Sequence, residues 1–268
     1  MNKTAFGIDL AGFSTGKSGL AKAQRIEADK IQVSVLRGHP FATSRKGFAR
    51  IEDVVGLEVN LVSQFLEEGR VLIDMPLDLQ KLRTPEDAKM LWQLTKRPVD
   101  YVFCALPPLA DKIGSPTARV QAILKQLANQ SPNHVRFGDN LFETYPAASL
   151  ELSGLPRKGY KGQSITFVEG QWRGESLATI ANGLKMKADE DISLNDDDVD
   201  AIVCAIAGLV DNDCVLEGAQ LESEISDRLK QALPPSSPSV SACPPNGYRL
   251  LKALGSIEEI LITEETWK

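Results

Sequence analysis

The spacing of apolar and polar residues changes several times along the chain. Thr4-Ala5-Phe6-Gly7-Ile8-Asp9-Leu10 predicts a buried strand that ends on an acid. Ala11 to Gly19 is a Gly/Ser/Thr turn, and Leu20 to Ile26 mixes small and apolar residues with Lys22 and Gln24. Ile31, Val33 and Val35 alternate with Gln32 and Ser34, the period of a half-buried strand. The three runs together predict an antiparallel meander. From about Phe48 to Leu66 the spacing is helical, and Glu67-Glu68-Gly69 ends that helix. Val71-Leu72-Ile73 is continuously apolar, as in a strand covered on both faces, and it runs into Asp74.

The middle of the chain is less regular. Thr84-Pro85 predicts a helix start, with the helix running to about Thr95. Pro98, Pro107 and Pro108 mark a loop-rich insertion over residues 77–115. Ser115-Pro116 predicts the start of another helix, with Val120, Ile123, Leu124 and Leu127 on one face. Leu141-Phe142-Glu143 is a third apolar run that reaches an acid. Residues 154–174 read as a Gly- and Lys/Arg-containing loop, and Glu175 to about Ala188 as a helix. After Leu221 a polar helix runs to about Leu233, followed by a Pro/Ser-rich flexible segment. Tyr248 to Lys268 returns as a helix and an edge strand at Ile260-Leu261-Ile262. This organisation predicts one α/β domain over residues 1–232 and a C-terminal extension, 233–268, packed on it.

The most informative run is Asn195-Asp196-Asp197-Asp198-Val199-Asp200, which heads ten small or apolar residues ending at Val210. A helix that is apolar all round is buried, and buried helices seldom carry acids beside their core. Asn195 is a good N-cap, and acids in the first turn suit the helix dipole, which accounts for Asp196 and Asp198. Asp200 lies a full turn in. It shares a face with Asp197, three residues earlier.

The strand-end acids Asp9, Asp74 and Glu143, together with Asp197 and Asp200, form a candidate catalytic set. Ligands in open α/β sheets sit at the carboxyl ends of the strands. Asp9, Asp74, Asp197 and Asp200 are the expected metal ligands, for Mg²⁺ or Mn²⁺, because hard cations take oxygen donors. Two such ions about 4 Å apart clamp the attacking and leaving oxygens of a phosphodiester. Ser14, Thr15, Lys17, Lys158, Lys161 and Arg173 are candidate contacts to substrate phosphate.

Composition narrows the classes. With 43% hydrophobic residues in 268, the core can be large enough to need no disulfides. Four cysteines without a C-x-x-C pair read as reduced thiols in a cytoplasmic protein. Two isolated histidines argue against a His-rich zinc site and against most Ser-His or Cys-His chemistry. No signal peptide and no apolar run of membrane-spanning length are visible, so no membrane partner is expected. A net charge of −6 counts against a general nucleic-acid coating protein. It is compatible with an enzyme that binds nucleic acid locally around an acidic site.

Two competing motifs are weaker. Gly12-Phe13-Ser14-Thr15-Gly16-Lys17-Ser18 is one residue short of a P-loop, and a strand pattern follows it where a helix belongs. Gly7-Ile8-Asp9-Leu10-Ala11-Gly12 loosely resembles the first strand of actin-like sugar kinases, but no second hairpin of that kind follows.

The order of meander, helix, acid-ended strand, helix, strand and D-x-x-D-A helix resembles the ribonuclease H-like fold. It is nearest to the Holliday-junction resolvase (RuvC-like) branch. More narrowly, Gly7–Gly12, Val71–Leu77, Glu143-Thr144-Tyr145-Pro146 and Asp196–Ala201 resemble domain-of-unknown-function family 429, a family of predicted nucleases. The resemblance spans about residues 4–212. It implies a mixed five-stranded sheet with helices on both faces and a metal-dependent nuclease activity. Asp9 is then the first-strand ligand, Asp74 the fourth-strand acid, and Asp197 and Asp200 the last-helix acids, while Glu143 belongs to the narrower family's own motif. The alternatives are a non-catalytic scaffold of the same fold that binds nucleic acid or a nucleotide, and, third, an ATP-dependent phosphotransferase.

Overall fold

The computed structural model describes residues 3–12, 17–42, 50–79, 88–108, 110–130, 135–244 and 247–267. Strands β1 (Thr4–Asp9), β2 (Gly19–Arg25) and β3 (Lys30–Arg37) form the expected antiparallel meander. Helix α1 (Ile51–Glu68) leads into β4 (Arg70–Ile73), which runs parallel to β1. After α2 (Pro98–Val102) and α3 (Asp111–Gln130), β5 (Leu141–Glu143) pairs parallel with β4. Helix α4 (Pro146–Leu152) precedes β6 (Ser164–Val168), β7 (Gln171–Arg173) and α5 (Ser176–Gly183). Next come β8 (Met186–Ala188), β9 (Ile192–Asn195), α6 (Asp196–Leu209), β10 (Val215–Glu217) and α7 (Gly218–Ala232). Strands β11 (Arg249–Leu251) and β12 (Glu259–Thr266) complete the chain.

The main sheet has seven strands in the order β5-β4-β1-β2-β3-β12-β8, two more than expected, and only β2 runs against the rest. The extra strands have one cause. β12 was expected at an edge, but it lies between β3 and β8 and is paired on both sides. Its alternation suits a half-buried strand at either place, and the choice is made by β3, more than 200 residues earlier. The C-terminal segment therefore builds the sheet itself, and no helix occurs among the described residues from Tyr248 onward.

Other local expectations also shift. Residues 154–174 contain a hairpin, β6–β7, which joins β9 in a small second sheet. The helix from Glu175 stops at Gly183, where Lys185 adopts a positive φ of 56° and the chain turns into β8. Helix α3 begins at Asp111, four residues before Ser115, so Pro116 sits inside it. Of the helix expected over 84–95, residues 84–87 lie outside the described residues, and the remainder holds only a 3-10 turn, Leu91–Leu94. There the Gln93 side chain accepts from the backbone N–H groups of Lys89 and Met90, replacing helical bonds.

Strand alternation sorts the two faces. Phe6, Ile8, Leu20, Val71 and Ile73 pack on α1 and α3. Ala5, Ala21, Ala23 and Leu72 face α6, whose residues 198–209 are all buried. That face is built of small side chains. A Cβ on Gly7 would meet Ala201 O at 2.0 Å, and one on Gly19 would meet Asp197 O at 2.1 Å. The glycines let α6 lie directly on the sheet, which brings the head of the helix beside the ends of β1 and β4. No helix among the described residues is long and apolar enough to cross a membrane.

Candidate metal centre

Three acids from three elements meet at the carboxyl ends of the parallel strands. Asp9 closes β1, Asp74 follows β4, and Asp200 sits in the second turn of α6. One carboxylate oxygen from each lies within 4.8 Å of the others. The loop after Asp9 is held in place: Ala11 N donates to Ser18 Oγ at 3.0 Å, and Ala11 O accepts from the buried Arg119 at 2.7 Å. Asp74 N donates to Ile8 O at 2.8 Å, which ties the second acid to the strand of the first. Asn195 caps α6 by accepting from Asp198 N at 2.9 Å, while Asp198 accepts from Asn195 N. Arg37 also pairs with Asp198, so that acid serves the cap and the sheet. At the other end of the helix, buried Arg249 donates to Ala207 O at 2.7 Å and Val210 O at 2.9 Å, offsetting the helix dipole.

Electrostatics mark the cluster as short of positive charge. Burial pushes Asp74 up to about 8, with Asp200 adding to the rise and Lys161 opposing it. Burial, then the Asp200 charge, holds Asp9 well above the usual carboxylate range. Burial also raises Asp200, against the pull of Lys161 and Tyr160. Asp197 is raised to about 6 by burial and by Asp196. Two unit charges at this separation repel by about 3–4 kcal/mol at an effective dielectric of about 20. Lys161 Nζ pairs with Asp200 and lies 3.9 Å from Asp9 Oδ2, and Tyr160 donates its hydroxyl to Asp200 Oδ1 at 2.9 Å. One ammonium against three carboxylates leaves two negative charges if all are ionised.

The remaining expected residues separate. Asp197 lines the same cavity but lies outside the close trio. Glu143 ends β5 as expected, yet both its oxygens accept from buried Arg97, at 2.6 and 2.8 Å, and Oε2 also accepts from Leu77 N. Arg97 pairs with Asp100 as well, and the group ties α2 to the end of β5. Lys17 reaches the cavity, but Lys158 does not line it, and Arg173 is exposed and pairs with Glu169. Ser14 and Thr15 lie outside the described residues. Lys161, read from sequence as a phosphate contact, pairs with the acids themselves.

Sequence reasoning missed Tyr160, Thr144 and Arg97. Tyr160 adjoins Lys161, and Thr144 lies inside the Glu143–Pro146 motif, so both had a local signal. Arg97 had only its place before a helix-starting proline. All three line a cavity of about 490 Å³ whose wall also includes the acid cluster, Leu106, Ile113 and Tyr145.

The trio offers oxygen donors alone, without histidine or cysteine, which is the donor chemistry of a hard divalent cation. No family model, curated protein or solved structure matches the chain.

Proposed function

We propose that this chain is a divalent-metal-dependent nuclease of ribonuclease H-like fold, related to domain-of-unknown-function family 429. Convergence of Asp9, Asp74 and Asp200 within 4.8 Å carries the reading. The order of meander, α1, β4, α3, β5 and acid-headed α6 supports the fold.

Asp9, Asp74 and Asp200 would hold Mg²⁺ or Mn²⁺, and the two uncompensated charges match one divalent ion. A second ion would draw on Asp197 and on substrate phosphate. A divalent cation supplies charge neutralisation for a phosphodiester and a lowered pKa for water. The chain's own residues do the positioning. Tyr160 and Lys161 fix both oxygens of Asp200. Asp74 stays aligned with β1 through its backbone bond to Ile8. Lys17 at the cavity provides positive charge for a phosphate.

Calorimetry with Mn²⁺ tests the reading. The wild type should bind and Asp9→Asn should not, and the wild type should cleave bis(p-nitrophenyl) phosphate only with metal present. Absence of Mn²⁺ binding by the wild type would overturn it. One observation favours a second reading, a non-catalytic scaffold: Lys161 already occupies part of the carboxylate cluster as its counter-charge. Metal binding without cleavage of any phosphodiester would select that reading.

A further inference from the structure

We propose that the cavity beside the acid cluster is a nucleoside subsite, and that the substrate is a single-stranded nucleic acid presenting one unstacked base to it. The substrate's role rests on the nuclease reading; the subsite's capacity for a base does not.

Size and shape come first. Small-molecule sites typically occupy about 300–1,000 Å³, and this cavity, about 490 Å³, is in that range. Its lining takes in Asp74 together with the apolar Met75, Leu106 and Ile113 and the ring of Tyr145. A concavity of that kind admits one flat base but not a base pair held in a stack. Bases splayed from single strands are commonly received on aromatic and apolar surfaces. Leu106 is 48% exposed at the wall, an apolar side chain left open among the described residues.

Polar groups point the same way. Thr144 is only 2% exposed and lines the cavity, yet its Oγ1 has no hydrogen-bond partner among the described residues. A buried hydroxyl without a partner is unfavourable, and it calls for an explanation. The hydroxyl is itself closed off from solvent, so the polar edge of a base or a sugar hydroxyl provides the missing partner once the cavity wall shifts around it. Arg157, also at the cavity, is held in place by Glu151 at 2.7 Å and Phe103 O at 3.2 Å. Its guanidinium is a group of the kind that stacks on bases.

Charge selects the polymer form. A net charge of −6 counts against a broad phosphate-tracking surface as the main source of affinity. Base contacts close to the reacting phosphate then carry the affinity in this proposal. A base against Leu106 and Ile113 would share one cavity with the acid cluster, where the proposed cation would meet its phosphate.

The test has a metal-free arm and a polymer arm. Saturation-transfer NMR in EDTA uses thymidine and adenosine, which carry no phosphate. Both should receive saturation from the wild type and lose most of it with Leu106→Ser, a substitution at a half-exposed position, and with Thr144→Val, which keeps the shape. Fluorescence anisotropy in Ca²⁺ compares a labelled single-stranded 12-mer with its blunt duplex. The single strand should bind about tenfold more tightly, and Thr144→Val should weaken it about fivefold. Nucleoside signals that survive Leu106→Ser, or a duplex bound as tightly as the single strand, would overturn the proposal. Neither outcome touches Mn²⁺ calorimetry, so failure of the subsite and failure of the nuclease reading are separable.

Discussion

Lys161 Nζ pairs with Asp200 and stands 3.9 Å from Asp9, so one flexible ammonium serves two of the three converging carboxylates. A divalent cation would compete with it for the same oxygens. Lys161→Met is expected to tighten Mn²⁺ binding by about tenfold, a small part of the Coulomb energy at this range. It should also lower metal-free stability by about 1–2 kcal/mol. That is less than the loss for a fully buried pair, because the Lys161 side chain is 56% exposed and screened. Calorimetry and thermal unfolding would check the two effects, and weaker Mn²⁺ binding would show that Lys161 assists the ion.

The raised carboxyls make stability depend on pH. Asp74 moves from its ordinary value of 3.8 up to about 8, and Asp197 up to about 6. A carboxyl raised by folding contributes stability that is full below its unfolded pKa and disappears as pH rises through the folded one. The metal-free protein should therefore lose thermal stability between about pH 4 and pH 8, and saturating Mn²⁺ should restore it most at the upper end. Asp74→Asn should flatten the decline, abolish metal binding, and stabilise the metal-free protein by about 2 kcal/mol at pH 8. A Tm that climbs with pH across this window in metal-free buffer would contradict the electrostatic picture.

Gly7 and Gly56 make a matched pair. A methyl group on Gly7 would strike the α6 backbone at Ala201 O and Ala205 N, at 2.0 and 2.4 Å, whereas one on Gly56 meets nothing within 4 Å among the described residues. Gly7→Ala should cost about 3 kcal/mol or more and weaken Mn²⁺ binding by displacing Asp200. Gly56→Ala, inside α1, should stabilise by about 0.5–1 kcal/mol through helix propensity. Denaturant unfolding of both variants compares them directly.

Glu143 distinguishes ligand from support. Glu143→Gln removes one of two carboxylates on buried Arg97, and should cost about 2–3 kcal/mol with Asp100 still in place. Because the Glu143 charge helps raise Asp74, the pH profile of Mn²⁺ binding should move to lower pH. Loss of metal binding at every pH would instead make Glu143 a ligand.

The acids that converge were legible because each ends or heads a local run: Asp9 after Phe6-Gly7-Ile8, Asp74 after Val71-Leu72-Ile73, and Asp200 against the apolar body of α6. Glu143 carries the same local signature. Its fate is decided by Arg97, 46 positions away, whose partner no periodicity could announce. The meander, α1, α6 and α7 were visible for the same local reason. Strands β6 to β9 are three to five residues long, too short to establish a period among glycines and charges. The inner place of β12 depends on a pairing that links opposite ends of the described chain.

That pairing has a consequence for synthesis. Arg37 on β3 meets Glu264 on β12 across 227 positions of sequence. While the intervening chain emerges from the ribosome, β3 presents an unpaired edge to whatever else is nearby. Such edges are templates for wrong partners. Lys30 and Arg37, the charged residues that open and close β3, end up neutralised by Glu259 and Glu264. Until those acids arrive, the nascent strand carries its own like-charged guards against a second copy of itself.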